Sequence, residues 1–376
     1  MSEEKNFHKK PETRPEFPKR AVITGGMPYG NKTLHFGHIG GVFVFADVYA
    51  RFLRDRIGED NVIFVSGTDC YGSPIAESYR RKCAEEGFTG SIKDFVAANH
   101  QAQKLTLDDY DISLNLFGAS GLGRTAEIHN QVSDRFIRRL YENGHLTRIA
   151  TSQFYDAKAG AFLNGRQVIG KCPVEGCNSE KGYADECDLG HQYMPEMLIN
   201  PKSTLTGETP IMKKVTNWYF NLTEQNELLN QYVAEIRTQK NVRPLVSKTI
   251  GEFLKPPVIY IKNEFLEQYE ACKDQMPEHE FIEEPKKPSF TIAFKKLTDC
   301  DQACVVLAEQ GIRYRTGKTL VPFRLTGNVE WGVPAPQLEG EEPLTIWVWP
   351  ESLWAPISFT MAYLEQIGHN TEEWKD

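Results

Sequence analysis

Several features are missing from this sequence of 376 residues, and each absence excludes a class of protein. No uninterrupted apolar run approaches the roughly 18 residues that a membrane-spanning helix needs. The first twenty residues, MSEEKNFHKKPETRPEFPKR, contain no apolar core of a signal peptide. Internal repeats and low-complexity tracts are also lacking. These absences predict a cytoplasmic protein without a membrane partner, in which residues 1–19 form a disordered tail.

Positive charge and cysteine are both scarce. The 43 Lys and Arg residues are outnumbered by 51 Asp and Glu residues, which gives a net charge of −8. This balance argues against nonspecific binding to DNA, but it leaves room for a local basic surface that binds one RNA. Of the eight cysteines, three lie between positions 172 and 187. In a chain without an export signal, such clustering indicates a metal site more than disulfides.

The length predicts two or three domains. Strand patterns at 20–26 and 62–66 alternate with helical patterns at 37–57 and in SPIAESYRRKCAEEG. This alternation predicts an α/β fold with a parallel sheet and right-handed crossovers. Further helices are predicted over 91–109 and 123–143.

The pattern changes in the second half of the chain. Residues 150–220 combine short strand patterns with glycine turns, and 222–254 are predicted to be helical. Residues 256–322 contain the strand, helix and strand patterns SFTIAFKK, DQACVVLAEQG and LVPFRL. They predict a small inserted α/β module, either a surface elaboration or a contact for RNA or a partner. Residues 323–376 are rich in tryptophan and proline.

The segment MPYGNKTLHFGH, residues 27–38, lies where the first strand turns into a helix. Free backbone N–H groups and the helix dipole make such a turn an anion site. His35 and His38 can donate hydrogen bonds to phosphate oxygens, and Gly37 lets a ligand approach the backbone. A metal site is less favoured because no acid or cysteine lies nearby. Spacing alone also leaves open an ordinary capped turn with two surface histidines.

This segment resembles the HIGH signature of class I aminoacyl-tRNA synthetases. The matching residues are Pro28, Asn31, Leu34, His35, Gly37 and His38, and Phe36 replaces the usual aliphatic residue. VITGGMPYGNKTLHFGHIGG is most similar to methionyl-tRNA synthetases. The resemblance implies a Rossmann-like sheet and ATP, with Mg²⁺, as a substrate. It implies that ATP is bound by Tyr29, Asn31, His35, Gly37 and His38, with His35 and His38 stabilising the transition state of adenylate formation.

Further segments resemble the same family. These are FVSGTDCYGSPI at 64–75, PKSTLTGETPIMKKVTNWYFNL at 201–222, VEWGVPAP at 329–336 and IWVWPESLWAPISF at 346–359. The last two resemble strands that return from a connective domain. By resemblance, Asp69 binds the ammonium group of the amino acid, which agrees with the cost of burying a carboxylate without a cation. A helix-capping role for Asp69 is the alternative.

The resemblance also implies a pocket for the methionine side chain. Aromatic rings suit a polarizable thioether, and the implied pocket residues are Met27, Tyr29, Trp349, Ala355, Pro356 and Phe359. Trp347 and Trp354 are expected in the core. The segment WPESLWAP is longer than the usual spacing, which leaves the choice of Trp349 over Trp354 open.

The segment CPVEGCNSEKGYADECDLGHQY, residues 172–193, predicts a tetrahedral structural zinc site. Its ligands are Cys172, Cys177, Cys187 and His191. Many methionyl-tRNA synthetases carry a zinc knuckle here, usually as two Cys-x-x-Cys pairs. In this chain the first spacing is longer, and Gly190 stands where the fourth cysteine is expected. A degenerate knuckle without metal is the alternative.

Two departures from the family pattern affect the expected activity. Gly327 and Asn328 stand where the family has Arg-Asp, so Arg324 is the candidate to hold Asp69 instead. The chain ends at NTEEWKD, before any KMSKS-like loop, so we expect the amino-terminal part of a longer synthetase, weak or inactive alone. The expected domains are a catalytic first half (20–145), a connective domain (146–255), the inserted module (256–322), and return strands with the start of the second half (323–376).

The sequence therefore predicts a methionine–tRNA ligase that activates methionine with ATP and transfers it to tRNA. A paralogue that activates another amino acid is one alternative. A non-catalytic, synthetase-like protein that binds an amino acid or RNA is another.

Overall fold

The computed structural model describes residues 16–375, apart from 164, 175–176, 178, 180, 185, 190, 192, 194, 240–241, 284–286 and 341–342. Residues 1–15 of the predicted tail and Gly190 therefore lie outside the described residues. The chain forms two compact units. The first contains residues up to 144, 148–218 and 324–376, and the second contains 145–147 and 219–323.

A parallel sheet forms the centre of the first unit. Its strands are β1 (Ala21–Thr24), β2 (Val62–Thr68) and β3 (Leu116–Ala119), in the order β1-β2-β3. The pairs Ala21–Val62 and Val65–Leu116 fix the register. Helices α3 (Ser73–Glu86) and α4 (Ile92–Asp109) connect β2 to β3, and α5 (Gly123–Glu142) follows β3. The predicted α/β fold with a parallel sheet is confirmed.

Burial of β2 explains why this strand is central. Five consecutive residues from Phe64 to Thr68 are buried, as expected for a parallel strand covered on both faces. On one side, Phe64 and Val62 pack with Ala50 and Leu53 of the preceding helix. The other side is covered by Phe359, which packs on Val65.

The helix after β1 is continuous but irregular. It starts as α1 (Phe36–His38), passes through a π-helical turn (Ile39–Phe43) and continues as α2 (Val44–Ile57). By length and composition alone, the helix Phe36–Ile57 could cross a membrane, but one such helix is weak evidence for a membrane span. Its contacts indicate a helix that flanks the sheet, because Asp47 and Arg54 bond to Ser113 in the segment before β3.

The structure corrects the expectation of return strands at 346–359. Two short strands, β14 (Thr326–Gly327) and β15 (Thr345–Ile346), pair with each other, and the chain then forms helix α10 (Val348–Gln366). The buried residues Glu351, Ala355, Phe359 and Ala362 follow the 3.6-residue period of a helix. Helical burial of an apolar face thus explains the segment better than strand alternation.

The middle of the chain contains longer strands than expected. One sheet contains the long strands β4 (Leu146–Asp156) and β8 (Ile211–Phe220) and the short strands β5 (Ala161–Phe162) and β13 (Phe323–Arg324). Its strand order is β13-β8-β4-β5. Strands β6 (Val168–Lys171) and β7 (Ile199–Ser203) form an antiparallel pair, and the cysteine-rich segment lies in the chain between them.

The second unit contains a complete βαββαβ arrangement. Helices α6 (Asn226–Thr238) and α7 (Pro244–Phe253) precede it. Its elements are β9 (Val258–Lys262), α8 (Leu266–Cys272), β10 (Glu280–Ile282), β11 (Ser289–Ala293), α9 (Leu297–Glu309) and β12 (Tyr314–Thr316). The antiparallel order β10-β11-β9-β12 is that of a ferredoxin-like fold. The predicted strand LVPFRL overlaps β13, which belongs to the sheet of β4 and β8, whereas the last strand of the ferredoxin-like sheet is β12.

Candidate functional site

The turn after β1 presents two imidazoles side by side. The rings of His35 and His38 lie 3.8 Å apart between centroids. The N–H of Gly37 donates to Nδ1 of His35 at 3.1 Å, and the N–H of His35 donates to Nδ1 of His38 at 3.2 Å. Because both Nδ1 atoms accept, the ring hydrogens lie on Nε2. Each imidazole therefore presents an N–H donor, as phosphate oxygens require.

The surroundings of His38 disfavour its charged form. Partial burial lowers the pKa of His38, and the neighbouring His35 and Lys32 lower it further. A neutral imidazole of His38 still donates a hydrogen bond from Nε2–H. Gly37 is exposed. A side chain at this position would place its Cβ 2.9 Å from the ring of His35, so only glycine leaves that ring in position.

A buried amide fixes the backbone before the histidines. Gln103 of α4 is fully buried, and its amide donates to the carbonyls of Tyr29 and Lys32 at 2.8 Å each. Its Oε1 accepts from the hydroxyl of Thr68 at 2.7 Å, and that hydroxyl also contacts His100 at 2.8 Å. The sequence analysis did not identify Gln103, because a polar residue in a helix gives no signal of the backbone that it contacts.

Asp69 follows β2 and is joined to the turn after β1. The N–H of Gly30 donates to the carbonyl of Asp69 at 2.7 Å, and the N–H of Asp69 donates to the carbonyl of Pro28 at 2.9 Å. The side chain accepts from the N–H of Tyr71. Burial raises the pKa of Asp69 well above its ordinary value, and the charge of Glu351 raises it further. A cation in this corner would favour the charged carboxylate.

A cavity of about 590 Å³ opens beside these loops. Tyr29 and Tyr71 line it together with Gly72, whose φ of +106° starts the approach to α3. The remaining aromatic lining comes from Phe162, Trp331, Trp347, Trp349 and Tyr79. Its size is within the range of small-molecule sites. Trp347 was expected in the core, but it is half-buried and lines this cavity, with Arg324 over its ring at 4.6 Å.

The implied methionine-pocket residues fall into two groups. Tyr29 and Trp349 line the cavity, and Trp349 is 65 % exposed. Ala355 and Phe359 are fully buried with Val65, and Met27 packs against that cluster. Pro356 is half-buried inside α10. Trp354, the alternative to Trp349, is in the core and stacks on Phe136 at 5.2 Å.

Two further predicted residues have defined contacts. The amide of Asn31 donates to the hydroxyl of Ser78 at 3.3 Å. Arg324, the candidate to hold Asp69, donates from Nε to the carbonyl of Thr326 at 2.8 Å and contacts the side chain of Gln153. Those contacts direct Arg324 toward the strand edge and the ring of Trp347. Gly327 is buried, and a Cβ there would lie 2.8 Å from Trp347.

Two buried residues beside Asp69 escaped the sequence analysis. His129 of α5 and Glu351 of α10 are both fully buried, and Nε2 and Oε2 lie 2.7 Å apart. Burial raises the pKa of Glu351 to about 8 and lowers that of His129 to about 4. An acid and a histidine more than two hundred positions apart in the chain carry no local motif that would reveal their contact.

The four predicted zinc ligands come together in the segment between β6 and β7. They are Cys172, Cys177, Cys187 and His191. Their ligand atoms all lie within 4.8 Å of one another. Nδ1 of His191 is 3.3 Å from Sγ of Cys177, 3.5 Å from Cys187 and 3.9 Å from Cys172. The edges of a zinc tetrahedron with three thiolates and one imidazole are roughly 3.5–3.8 Å, so this donor set fits the ion.

The arrangement combines an anion-binding turn, a buried carboxyl group and a cavity at the carboxyl ends of parallel strands. Ligands of open α/β sheets bind at this edge. The fold and site thus define an α/β protein with an open cavity at the carboxyl edge of a parallel sheet. Residues 21–266 match the family described as tRNA synthetases class I (M). The chain belongs to this family, and the predicted relationship to methionyl-tRNA synthetases is confirmed.

Curated relatives extend the match. The chain is 38 % identical over 219 residues to a methionine–tRNA ligase of Cytophaga hutchinsonii, covering 58 % of this chain and 30 % of that protein. It is 28 % identical over 357 residues to a methionine–tRNA ligase of Bacteroides fragilis, covering 95 % of this chain and 40 % of that protein. The chain thus spans well under half of the length of these relatives.

A solved structure with a similar fold is the LeuRS of Agrobacterium radiobacter in a ternary complex with tRNA and LeuAMS. It aligns with a TM-score of 0.51 at 12 % identity, covering 93 % of this chain and 56 % of that chain. At this identity the likeness concerns the fold alone.

Proposed function

We propose that the protein is a methionine–tRNA ligase whose chain activates methionine with ATP. The methionine carboxylate attacks the α-phosphorus of ATP, pyrophosphate leaves, and methionyl-adenylate forms. The acyl group then passes to a hydroxyl of the tRNA 3′ end, which releases AMP. The observation that carries the proposal is the hydrogen-bonded junction of Gly30 and Asp69. It fixes the anion-binding turn and the buried carboxyl group on adjacent loops.

The residues have separate roles in this proposal. Nε2–H of His35 and of His38 donate to the phosphates of ATP, with Mg²⁺ as the usual companion ion, and stabilise the charge that develops on them. Gly37, Tyr29 and Asn31 bind the nucleotide, and Gln103 positions the turn. Asp69 binds the ammonium group. No covalent enzyme intermediate is needed, because positioning and charge stabilisation suffice.

The methionine side chain has its pocket among Met27, Tyr29, Trp349, Ala355, Pro356 and Phe359 in this proposal. The packing of Met27 with Ala355 and Phe359 supports part of it. Because Ala355 and Phe359 are fully buried, contact with a substrate requires the side chains above them to move. Trp347 joins the candidates because it lines the cavity.

The remaining proposals concern architecture and location. A Rossmann-like sheet is split by a connective domain that carries the zinc knuckle, with the inserted module at 256–322 as a further domain. Zinc is structural, because four protein ligands leave no open position for chemistry. We infer a cytoplasmic protein whose partners are methionine and tRNA.

Pyrophosphate exchange tests the proposed function. Full-length protein is assayed with ATP, labelled pyrophosphate and a panel of amino acids. Exchange that depends on methionine supports the proposal. Preference for a different amino acid favours the paralogue, which Gly327 and Asn328 motivate. No exchange with any amino acid favours the non-catalytic binding protein.

A further inference from the structure

A chain of buried polar side chains lies between α5 and α10. Glu351, His129 and Ser358 are each 0 % exposed. Nε2 of His129 lies 2.7 Å from Oε2 of Glu351, and its Nδ1 lies 2.9 Å from Oγ of Ser358. The hydroxyl of Ser358 in turn donates to the carbonyl of Trp354 at 3.5 Å. The proposed adenylate chemistry uses none of these groups.

The hydrogen-bond directions assign a proton to Glu351. Because Ser358 donates to a carbonyl, its oxygen accepts from Nδ1–H of His129. Nε2 of the neutral ring then accepts, and the carboxyl group of Glu351 is its donor. A buried carboxylate beside a second buried carboxyl group would be costly, which also favours the neutral acid. The titratable groups that face Glu351 are His129 of α5, Asp69, Cys70 and Tyr71 after β2, and Tyr29 after β1.

The second oxygen of this acid is unexplained. Oε1 of Glu351 is buried and has no hydrogen-bond partner among the described residues. Leaving a buried acceptor unpaired is costly in free energy. Such an atom therefore indicates that a donor from outside the described residues bonds to it. Besides His129, which contacts Oε2, the groups whose pKa values would be raised by ionisation of Glu351 are Asp69, Cys70, Tyr71 and Tyr29, at the amino-acid corner.

We propose that Glu351 is a second amino-acid-binding residue, whose Oε1 accepts a hydrogen bond from the ammonium group that Asp69 binds as its counterion. The inference rests on the proposed function, because it takes the Asp69 corner as the amine site. A neutral acid adds an acceptor without a second negative charge, so the corner matches one ammonium group. His129 is the positioning residue that holds the carboxyl group in this orientation.

A double-mutant cycle between protein and ligand tests the contact. The probes are methionine and its des-amino analogue 4-(methylthio)butanoate, and binding of each is measured with wild type, Glu351→Met and Glu351→Gln. Glu351→Met should weaken methionine roughly ten- to hundredfold and leave the des-amino analogue unchanged. Glu351→Gln keeps a donor for His129 and an acceptor at Oε1, so it should stay within about threefold of wild type. The KM for ATP should not change in either variant.

Other outcomes separate the two proposals. Equal losses for both ligands indicate that Glu351 acts through the structure of the site and not through the ammonium group, and they overturn this inference while the proposed function stands. A Glu351→Gln variant as impaired as Glu351→Met shows that a negative charge is needed, which also overturns it. If the wild type binds no methionine, the proposed function fails first.

Infrared spectroscopy of the wild type covers the case in which Glu351→Met does not fold. A carbonyl band of a protonated carboxylic acid, absent from Glu351→Gln, should be present at neutral pH. It should shift to lower frequency when methionine binds. Absence of the band, or a band that methionine does not move, contradicts the inference.

Discussion

The two histidines of the first crossover depend on backbone donors for their chemistry. With Nδ1 of each ring satisfied by a peptide N–H, both rings carry their hydrogen on Nε2. Partial burial, together with His35 and Lys32, lowers the pKa of His38 and so favours its neutral ring. The sequence predicted that the pair lies at a turn between strand and helix, but the tautomers follow only from the folded backbone.

The first prediction concerns His38. Replacing it with alanine removes one donor to the phosphates, so methionine-dependent pyrophosphate exchange by full-length protein should fall roughly 100- to 1,000-fold. The free energy of unfolding should change little, because the ring is only half-buried. His369→Ala, on an exposed histidine that pairs with Glu373, is the matched control and should keep full exchange. Normal exchange by His38→Ala would remove the phosphate role.

The second prediction concerns the pH dependence of stability. The pKa of Glu351 is raised from 4.5 to about 8 in the folded protein. The folded state therefore retains a proton that the unfolded state loses, and stability falls as the pH rises from about 4.5 to about 8. The slope for one proton reaches about 1.4 kcal/mol per pH unit. Glu351→Gln should abolish this contribution.

Denaturant unfolding between pH 6.5 and 8 measures this difference. His129, with its pKa lowered from 6.5 to about 4, contributes the opposite slope only below that window. The wild type should lose stability across the window relative to Glu351→Gln. If the free energies of unfolding of the two proteins change with pH in parallel, Glu351 is ionised in the folded protein throughout this window.

Sequence reasoning reached residues with local motifs and missed those without them. His35, His38 and Asp69 belong to short segments that resemble a family. Gln103, His129 and Glu351 act through contacts with distant segments. Their chemistry comes from burial, which a single sequence does not reveal at isolated polar positions.

At the scale of elements, α10 shows where resemblance and periodicity disagree. The resemblance placed strands over 346–359, whereas Ala355, Phe359 and Ala362 have helical spacing. The helix contains two prolines. Pro350 lies in the first turn, where its missing N–H has no intrahelical partner to lose, and Pro356 is accommodated further along. The helices up to 143 and the strands β1 and β2 were predicted well because their apolar patterns are local, whereas the four-residue strand β3 was missed.

The third prediction concerns the contact of α10 with the sheet. The ring of Phe359 is fully buried, and a Cβ on Gly67 would come within 2.6 Å of it, so the glycine admits the ring. Phe359→Ala should lower the free energy of unfolding by about 3–5 kcal/mol. Trp349→Ala, at the exposed start of the same helix, should cost far less. Equal effects in urea unfolding would mean that α10 does not pack on β2.

The fourth prediction concerns the cysteine-rich segment. Protein purified without chelator should contain about one zinc per chain, and Cys187→Ser should reduce that content strongly. Hydrogen bonds from the backbone N–H groups of His191 and Leu189 lower the pKa of Cys187 to about 7 against the effect of burial, which favours the thiolate. Elemental analysis and hydrogen exchange of β6 and β7 check this. Cys83→Ser, at a cysteine outside the cluster, is the control. Zinc-free protein with unchanged protection would support the degenerate knuckle.

At the scale of the whole molecule, the chain combines a unit built on a parallel sheet with a second unit that has its own core. That core includes Ile259, Ile261, Phe290 and Leu307. The sequence predicted an inserted α/β module, but it gave only part of the order of elements. Short strands such as β10 and β12 have three residues each, too few for a periodic signal. Their pairing depends on distant partners, so topology emerged only from the folded structure.

The most direct test of the account is a structure of the full-length protein with a non-hydrolysable methionyl-adenylate analogue in which a sulfamate replaces the phosphate. The account predicts the sulfamate at Nε2 of His35 and His38 and the ammonium group at Asp69, with Asp69→Asn losing binding roughly thirtyfold or more. An analogue bound away from both loops, or no binding by a folded protein, would contradict it.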